Sequence, residues 1–428
     1  MLTPSLIRPR SILSALVCAF VLALGGCGGG EAPSSWTTDS ADILVERAGC
    51  TDSIRVDLFL DATSSMSGYA AAPGSVYLQF LDNLESAISG AWGDDSVRFY
   101  KFGTTVRRID RDEFRTAREA AFYRERGIFT TTNIDAVIDR VGPGRVGVIV
   151  TDLFQDDGDI NVMVAEVKEH VFQENLAAGV LALGSPFAGR IYDAPGGPYD
   201  YASTSDPSSL RPFYALMFGD AACLRRLNDA LGSQPFVSDE HFLLLDRRLI
   251  EDYTVALDKT RDSQELNRRA SPGENAFAFD VRPEGEGGTL EGVIVLDREA
   301  VAPDVNAARL GLEVFRKVRS PQTTDSVRSD DLRLRSAERR GDTLAVAFEY
   351  TLGEAEGRYT YLARLRAGDI GGLVPPAWVQ DLSSTNPTAT QDPNKTLNLE
   401  KFVADLAQAA ASAHRPVLAQ FTLDVTKR

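Results

Sequence analysis

Most of the oxygen chemistry this chain could do is gathered in one short stretch. In Ile54 to Gly68, IRVDLFLDATSSMSG, an apolar run meets Asp61 and then Thr63, Ser64, Ser65 and Ser67. The pattern predicts a β-strand ending in a loop. In open α/β sheets, ligands bind outside the carboxyl ends of strands, where loops rather than packed side chains form the surface. A carboxylate among neutral hydroxyls suits a hard cation, because Mg²⁺ takes oxygen ligands in near-octahedral geometry and retains waters readily. The bland alternative is that the hydroxyls merely cap the next helix.

The spacing Asp61-x-Thr63-x-Ser65 resembles the first motif, Asp-x-Ser-x-Ser, of the von Willebrand factor A (vWA) domain family. In that family the motif opens a metal-ion-dependent adhesion site, completed by a Thr and an Asp from later loops. The resemblance implies that Thr132, in FTTTNIDAVIDRV, and Asp152, closing VGVIVTD, supply them. It also implies a bound Mg²⁺ (or Mn²⁺ or Ca²⁺) held by Asp61, Thr63, Ser65, Thr132 and Asp152. An open coordination position would accept an acidic residue from a protein partner, which is binding and not turnover. The chain departs from the family pattern in three places: Thr63 stands for the first Ser, Thr130-Thr131 for a common Gly-Gly, and Leu153 for a Gly that often follows the Asp.

The elements needed to position these residues are legible in the hydropathy. Candidate strands are Ile54 to Leu60, Val97 to Phe102, Val146 to Thr151, Gly179 to Gly184 and Pro212 to Phe218. Such nearly continuous apolar runs are typical of strands buried on both faces. Between them, Leu78, Leu81, Leu84 and Ile88 recur at helical spacing, as do Val164, Val167 and Val171. Over residues 51–257 this predicts an α/β domain with a doubly wound, mostly parallel sheet, the fold that the resemblance also implies. The loop Ser185 to Leu210 carries Tyr192, Tyr199 and Tyr201 and reads as a partner-contacting surface, because Tyr supplies contact area at low entropic cost. Tyr69 reads either as a fence beside the metal or, more simply, as cover for a helix start. Beyond the charged run Asp258 to Asn275, strand patterns follow one another without helices, most clearly in LAVAFEYTL, and predict a β-sandwich-like domain over 270–367. Residues 368–428 then read as a helix and a strand packing on one of the domains.

Composition bounds the setting. Arg8 and Arg10 precede the apolar run Ile12 to Leu24 and the sequence Leu24-Gly25-Gly26-Cys27, which predicts a secretory leader over 1–26. Its end resembles the lipobox of bacterial lipoproteins, implying that Cys27 is acylated and anchors the chain to a membrane. The apolar run is shorter than the roughly 20 residues a spanning helix needs. Residues 27–50 read as a flexible Gly-, Ser- and acid-rich tether. The expected location is the cell envelope, on the outer membrane facing the periplasm if the cell has two membranes. Export permits a disulfide between Cys50 and Cys223, although two small buried hydrophobes fit the residues equally well. The formal charge is -16, and a leader with two arginines and no acid leaves -18 on the rest. That balance argues against nucleic acid as a partner.

Catalytic constellations do not emerge. His170, His241 and His414 have no metal-pair spacing, Asp57 and Asp61 are four residues apart, and no nucleophile elbow or phosphate-binding glycine loop is present. The chain therefore reads as a metal-dependent binding protein. The rival readings are a hydrolase using the same cation as a Lewis acid, and an envelope scaffold with an empty site.

Overall fold

The computed structural model describes residues 50–427 apart from 129, 154–159, 193, 205, 239–240, 247–249, 262, 283–286, 300–301, 305–309, 320–323, 341–342, 352–355, 368–370 and 414–416. The expected leader and tether and the acylation candidate Cys27 lie outside these residues. Among the described residues no helix is long and apolar enough to cross a membrane.

The first half runs β1 (Arg55–Asp61), α1 (Ser67–Ala71), α2 (Val76–Trp92), β2 (Val97–Phe102), β3 (Val106–Ile109), α3 (Arg111–Arg115), α4 (Asp135–Ile138), β4 (Arg145–Thr151), α5 (Ile160–Val167), β5 (Ala177–Ser185), β6 (Ala188–Ile191), β7 (Tyr199–Ala202), β8 (Arg211–Gly219), α6 (Ala221–Leu231) and β9 (Phe242–Leu245). Helix α2 forms where Ser75 caps it, accepting from the Leu78 amide. It buries Tyr77, Phe80, Leu81, Leu84 and Ile88 on one face and stops at Gly93, whose φ of 91° suits glycine. A π-helical turn, Lys168–Phe172, extends α5 and buries Val171 and Phe172.

Seven strands make one sheet in the order β3-β2-β1-β4-β8-β5-β9. Its directions correct the expected mostly parallel sheet: only β1 with β2 and β1 with β4 pair in parallel, and the other neighbours are antiparallel. Burial explains the difference. Every residue of β8 is buried, so its run is continuously apolar whichever way the strand points. Direction is set instead by the connection. From β5 the chain passes through the β6–β7 hairpin, with no crossover helix, and returns antiparallel between β4 and β5. The chain leaves β1 towards β2 and comes back on its other side as β4. The gap between the carboxyl ends of β1 and β4 is thus a topological switch point.

The second half runs β10 (Ile250–Lys259), β11 (Leu266–Arg268), β12 (Ala276–Val281), β13 (Gly287–Glu299), β14 (Ala302–Asp304), β15 (Gly311–Arg319), β16 (Thr324–Arg328), β17 (Leu332–Arg340), β18 (Thr343–Thr351), β19 (Gly357–Arg366), β20 (Gly371–Val374), α7 (Ala377–Asp381), β21 (Ser383–Ser384), β22 (Thr396–Leu397), α8 (Leu399–Ala413) and β23 (Val417–Lys427). A four-stranded sheet, β10-β13-β18-β17, faces a six-stranded one, β11-β12-β23-β19-β15-β16. Phe348 and Phe421 meet between them with ring centroids 5.3 Å apart, and Tyr350 and Tyr361 at 5.8 Å. The last strand, β23, sits inside the six-stranded sheet between β12 and β19. Helix α8 reaches the other way. It packs on α5 and the 168–172 turn, so that Val167, Val171, Phe172, Phe402, Val403 and Leu406 join the same apolar core as Phe348 and Phe421.

Candidate metal centre

Asp61 closes β1 at the switch point and is fully buried. One carboxylate oxygen, Oδ1, accepts from the Thr63 amide at 3.0 Å and the Thr63 hydroxyl at 2.6 Å. The other, Oδ2, accepts from Thr151 Oγ1 at 2.8 Å and from Thr132 Oγ1 at 3.5 Å. Thr63 Oγ1 lies 3.1 Å from Ser65 Oγ and 3.3 Å from Thr132 Oγ1. Asp152, one residue beyond β4, is buried close enough to raise the Asp61 carboxyl by repulsion. Asp61, Thr63, Ser65, Thr132 and Asp152 thus come from three separated segments to one place.

Burial is the largest influence on Asp61, and repulsion from Asp152 adds to it; together they push its carboxyl up to about 7 against the hydrogen bonds from Thr63 and Thr151. Two carboxyls crowded among hydroxyls form an oxygen-only donor set that fits a hard divalent cation, which would relieve their repulsion. Among the described residues no group of three or more His, Cys, Asp or Glu side chains is arranged so that it could hold a metal ion. Hydroxyls would supply most of the side-chain donors at this place among the described residues.

Thr151 is a site residue that the sequence reading passed over. Fully buried at the end of β4, it donates to Asp61 while its hydroxyl accepts from the Leu153 amide at 3.2 Å. Period two was the available signal, because it sets Thr151 on the sheet face of Ile149 and, across the register, of Phe59 and Asp61. Leu153 has φ 61°, a left-handed conformation that favours glycine. That is the position where the vWA pattern often carries Gly.

Tyr69 is fully buried, donates its hydroxyl to the Pro212 carbonyl and packs edge-on to Phe187. It is cover, as expected. The tyrosines of the 185–210 loop turn inward rather than forming a contact surface: Tyr199 is buried, Tyr192 and Tyr201 are half-buried, and the Tyr201 hydroxyl donates to Ser209 at 2.8 Å. The β6–β7 hairpin lies on α1, and a Cβ on Gly68 would run into the Phe187 ring. Far below the crest, Cys50 and Cys223 are joined by a disulfide with Cα atoms 4.7 Å apart. His170 pairs with Glu166 at 3.1 Å and His241 lies against Trp378. Comparison with protein-family models finds no match to this chain, and comparison with curated proteins finds none.

Proposed function

We propose that this chain is a lipid-anchored envelope protein whose vWA-like half binds a divalent cation and, through it, an acidic side chain of a protein partner. One observation supports the reading. Five residues that the family pattern names as ligands, from three segments far apart in sequence, meet at the switch point around Asp61. Bound there, Mg²⁺ or a similar ion would supply a positive anchor for an incoming carboxylate. The chain's own part is to hold that place ready. Thr63 and Thr151 fix the two Asp61 oxygens in orientation, Ser65 and Thr132 add neutral donors that leave the ion's charge unsaturated, and Asp152 brings the second negative charge.

Calorimetric titration of leaderless protein with Mg²⁺ and with Mn²⁺ tests this. One saturable site, markedly weakened in Asp152→Ala, is expected; heat-silent titrations with both ions would turn the reading to a scaffold without metal. Partner capture from envelope extracts should be lost in chelator. In cells, Cys27→Ala should release the protein from membranes, and its retention there would count against the lipid anchor.

A further inference from the structure

The loop that carries Thr132 is held by a device on the opposite sheet face. Lys101, on β2, is only 3% exposed, and its ammonium pairs with Glu113 at 2.7 Å and with Glu125, while lying 4.9 Å over the Phe122 ring. Arg107 binds the same two carboxylates, so each acid bridges two cations. Glu125 opens the turn into the Thr132 loop, its carbonyl accepting from the Ile128 amide at 3.1 Å. Ile128 in turn accepts from the Thr104 amide at 2.9 Å, just past the end of β2. The ring closes on the strand where it began. Inside it, a Cβ on Gly103 would run into the Ile128 carbonyl oxygen, and the Gly103 carbonyl accepts from the Asn133 amide at 3.2 Å, one residue after Thr132.

We infer that Lys101 is a positioning residue for the cation site: through Glu125 and the Ile128–Thr104 bond it sets where Thr132 stands relative to Asp61. This rests on the proposed cation binding. It acts through the loop and touches no ligand, since Lys101 and its partner Phe122 belong to the apolar face opposite Phe59 and Asp61.

The sign of one substitution separates positioning from simple electrostatics. Lys101→Met removes a positive charge from the neighbourhood of a cation site, so a purely through-space effect would tighten binding. Loss of position would weaken it, by about tenfold on the scale of partners that orient metal ligands. The experiment is Mn²⁺ calorimetry together with amide exchange of residues 130–134, on leaderless wild type, Lys101→Met and, as a control, Arg358→Met, which breaks an ion pair with Asp424 in the β-rich half. Weaker Mn²⁺ binding with faster exchange at 130–134 in Lys101→Met, and neither change in Arg358→Met, is the expected result. Unchanged or tighter binding in Lys101→Met, or unchanged exchange there, overturns the inference. So does an equal weakening in the control. If wild type itself binds no Mn²⁺, the cation reading fails, while the exchange arm still decides whether Lys101 holds the loop.

Discussion

Asp152 and Ser65 serve the same place with unequal weight. Asp152→Ala removes one of two formal charges, whereas Ser65→Ala removes a neutral donor that water partly replaces. Charged hydrogen-bonding groups contribute about 1.5–3 kcal/mol and neutral ones about 1 kcal/mol, so Asp152→Ala should lower cation affinity several-fold more than Ser65→Ala. Ser65 lies in a single 3-10 turn, Ser64–Met66, and Asp152 just past the end of β4, so far-ultraviolet dichroism should change little; calorimetric constants for the two variants check the order, and equal losses would contradict it. At this scale the sequence was informative where chemistry is local. Asp61, Thr63 and Ser65 sit within five residues, and a strand end forces them to one crest. Thr132 and Asp152 were reached only through the family pattern, because nothing in their own neighbourhoods says that they meet. Thr151 escaped since a β-branched residue in an apolar run reads as strand packing, and only its buried hydroxyl distinguishes it.

Five strands and the helices α2 and α5 of the first half were legible, because the central strands are nearly continuous apolar runs and the helices each bury one periodic face, and Val97–Phe102 has the expected bounds. The direction of β8 was not, since it depends on what the 187–209 excursion does. The edge strand β3, short and partly exposed, left too weak a pattern to read. The junction of β2 with the 128–134 loop makes a sharper prediction. Gly103 is needed there for close approach, with the Ile128 carbonyl occupying the space of a side chain. Gly103→Ala should cost about 1–3 kcal/mol, as overpacking does, and should weaken cation binding as well. Urea unfolding gives the first and calorimetry the second; a fully stable, fully binding variant would show that the loop adapts freely. Acid should loosen the same element. Hydrogen bonds from Arg107 hold Glu113 below the ordinary 4.5, and one from Lys101 does so for Glu125. Carboxylates depressed in the folded state contribute stability above the ordinary value, lost as pH falls through the lower folded value. Both acids are about a third exposed, so the contribution is modest. Amide exchange around residues 113–128, corrected for its intrinsic pH dependence, should rise as pH drops below 4.5, and a flat profile would discount the network.

At the scale of the molecule, two long-range ties matter. The Cys50–Cys223 bridge spans 173 residues and fixes the start of the described chain to the buried face of α6, beside the Arg226–Asp52 pair at 2.9 Å. Its removal in Cys50→Ser/Cys223→Ser should cost about 2–5 kcal/mol, read by denaturation with and without reductant on the wild type; coincident curves would deny it a stabilising role. The second tie is the carboxyl-terminal segment, whose helix and strand face different halves. Thr396 receives the Tyr214 hydroxyl at 2.9 Å, Arg211 of β8 donates to the Pro393 carbonyl at 3.3 Å, and Lys401 donates to Asn161 at 3.1 Å. Phe402, Val403 and Leu406 of α8 pack into the core shared with α5, while β23 is an interior strand of the six-stranded sheet. A fragment ending at residue 246 retains every strand of the seven-stranded sheet and all five candidate ligands, but uncovers that side of α5. Each large apolar side chain lost from the interface is worth roughly 1.5–3 kcal/mol, against a total stability of about 5–15 kcal/mol for a typical domain. The full chain should therefore unfold in one calorimetric transition, and the fragment should bind a hydrophobic dye and lack a sharp one. A fragment melting cooperatively within a few degrees of the full chain would mean that the two halves are energetically separate and that α8 is only laid against the first.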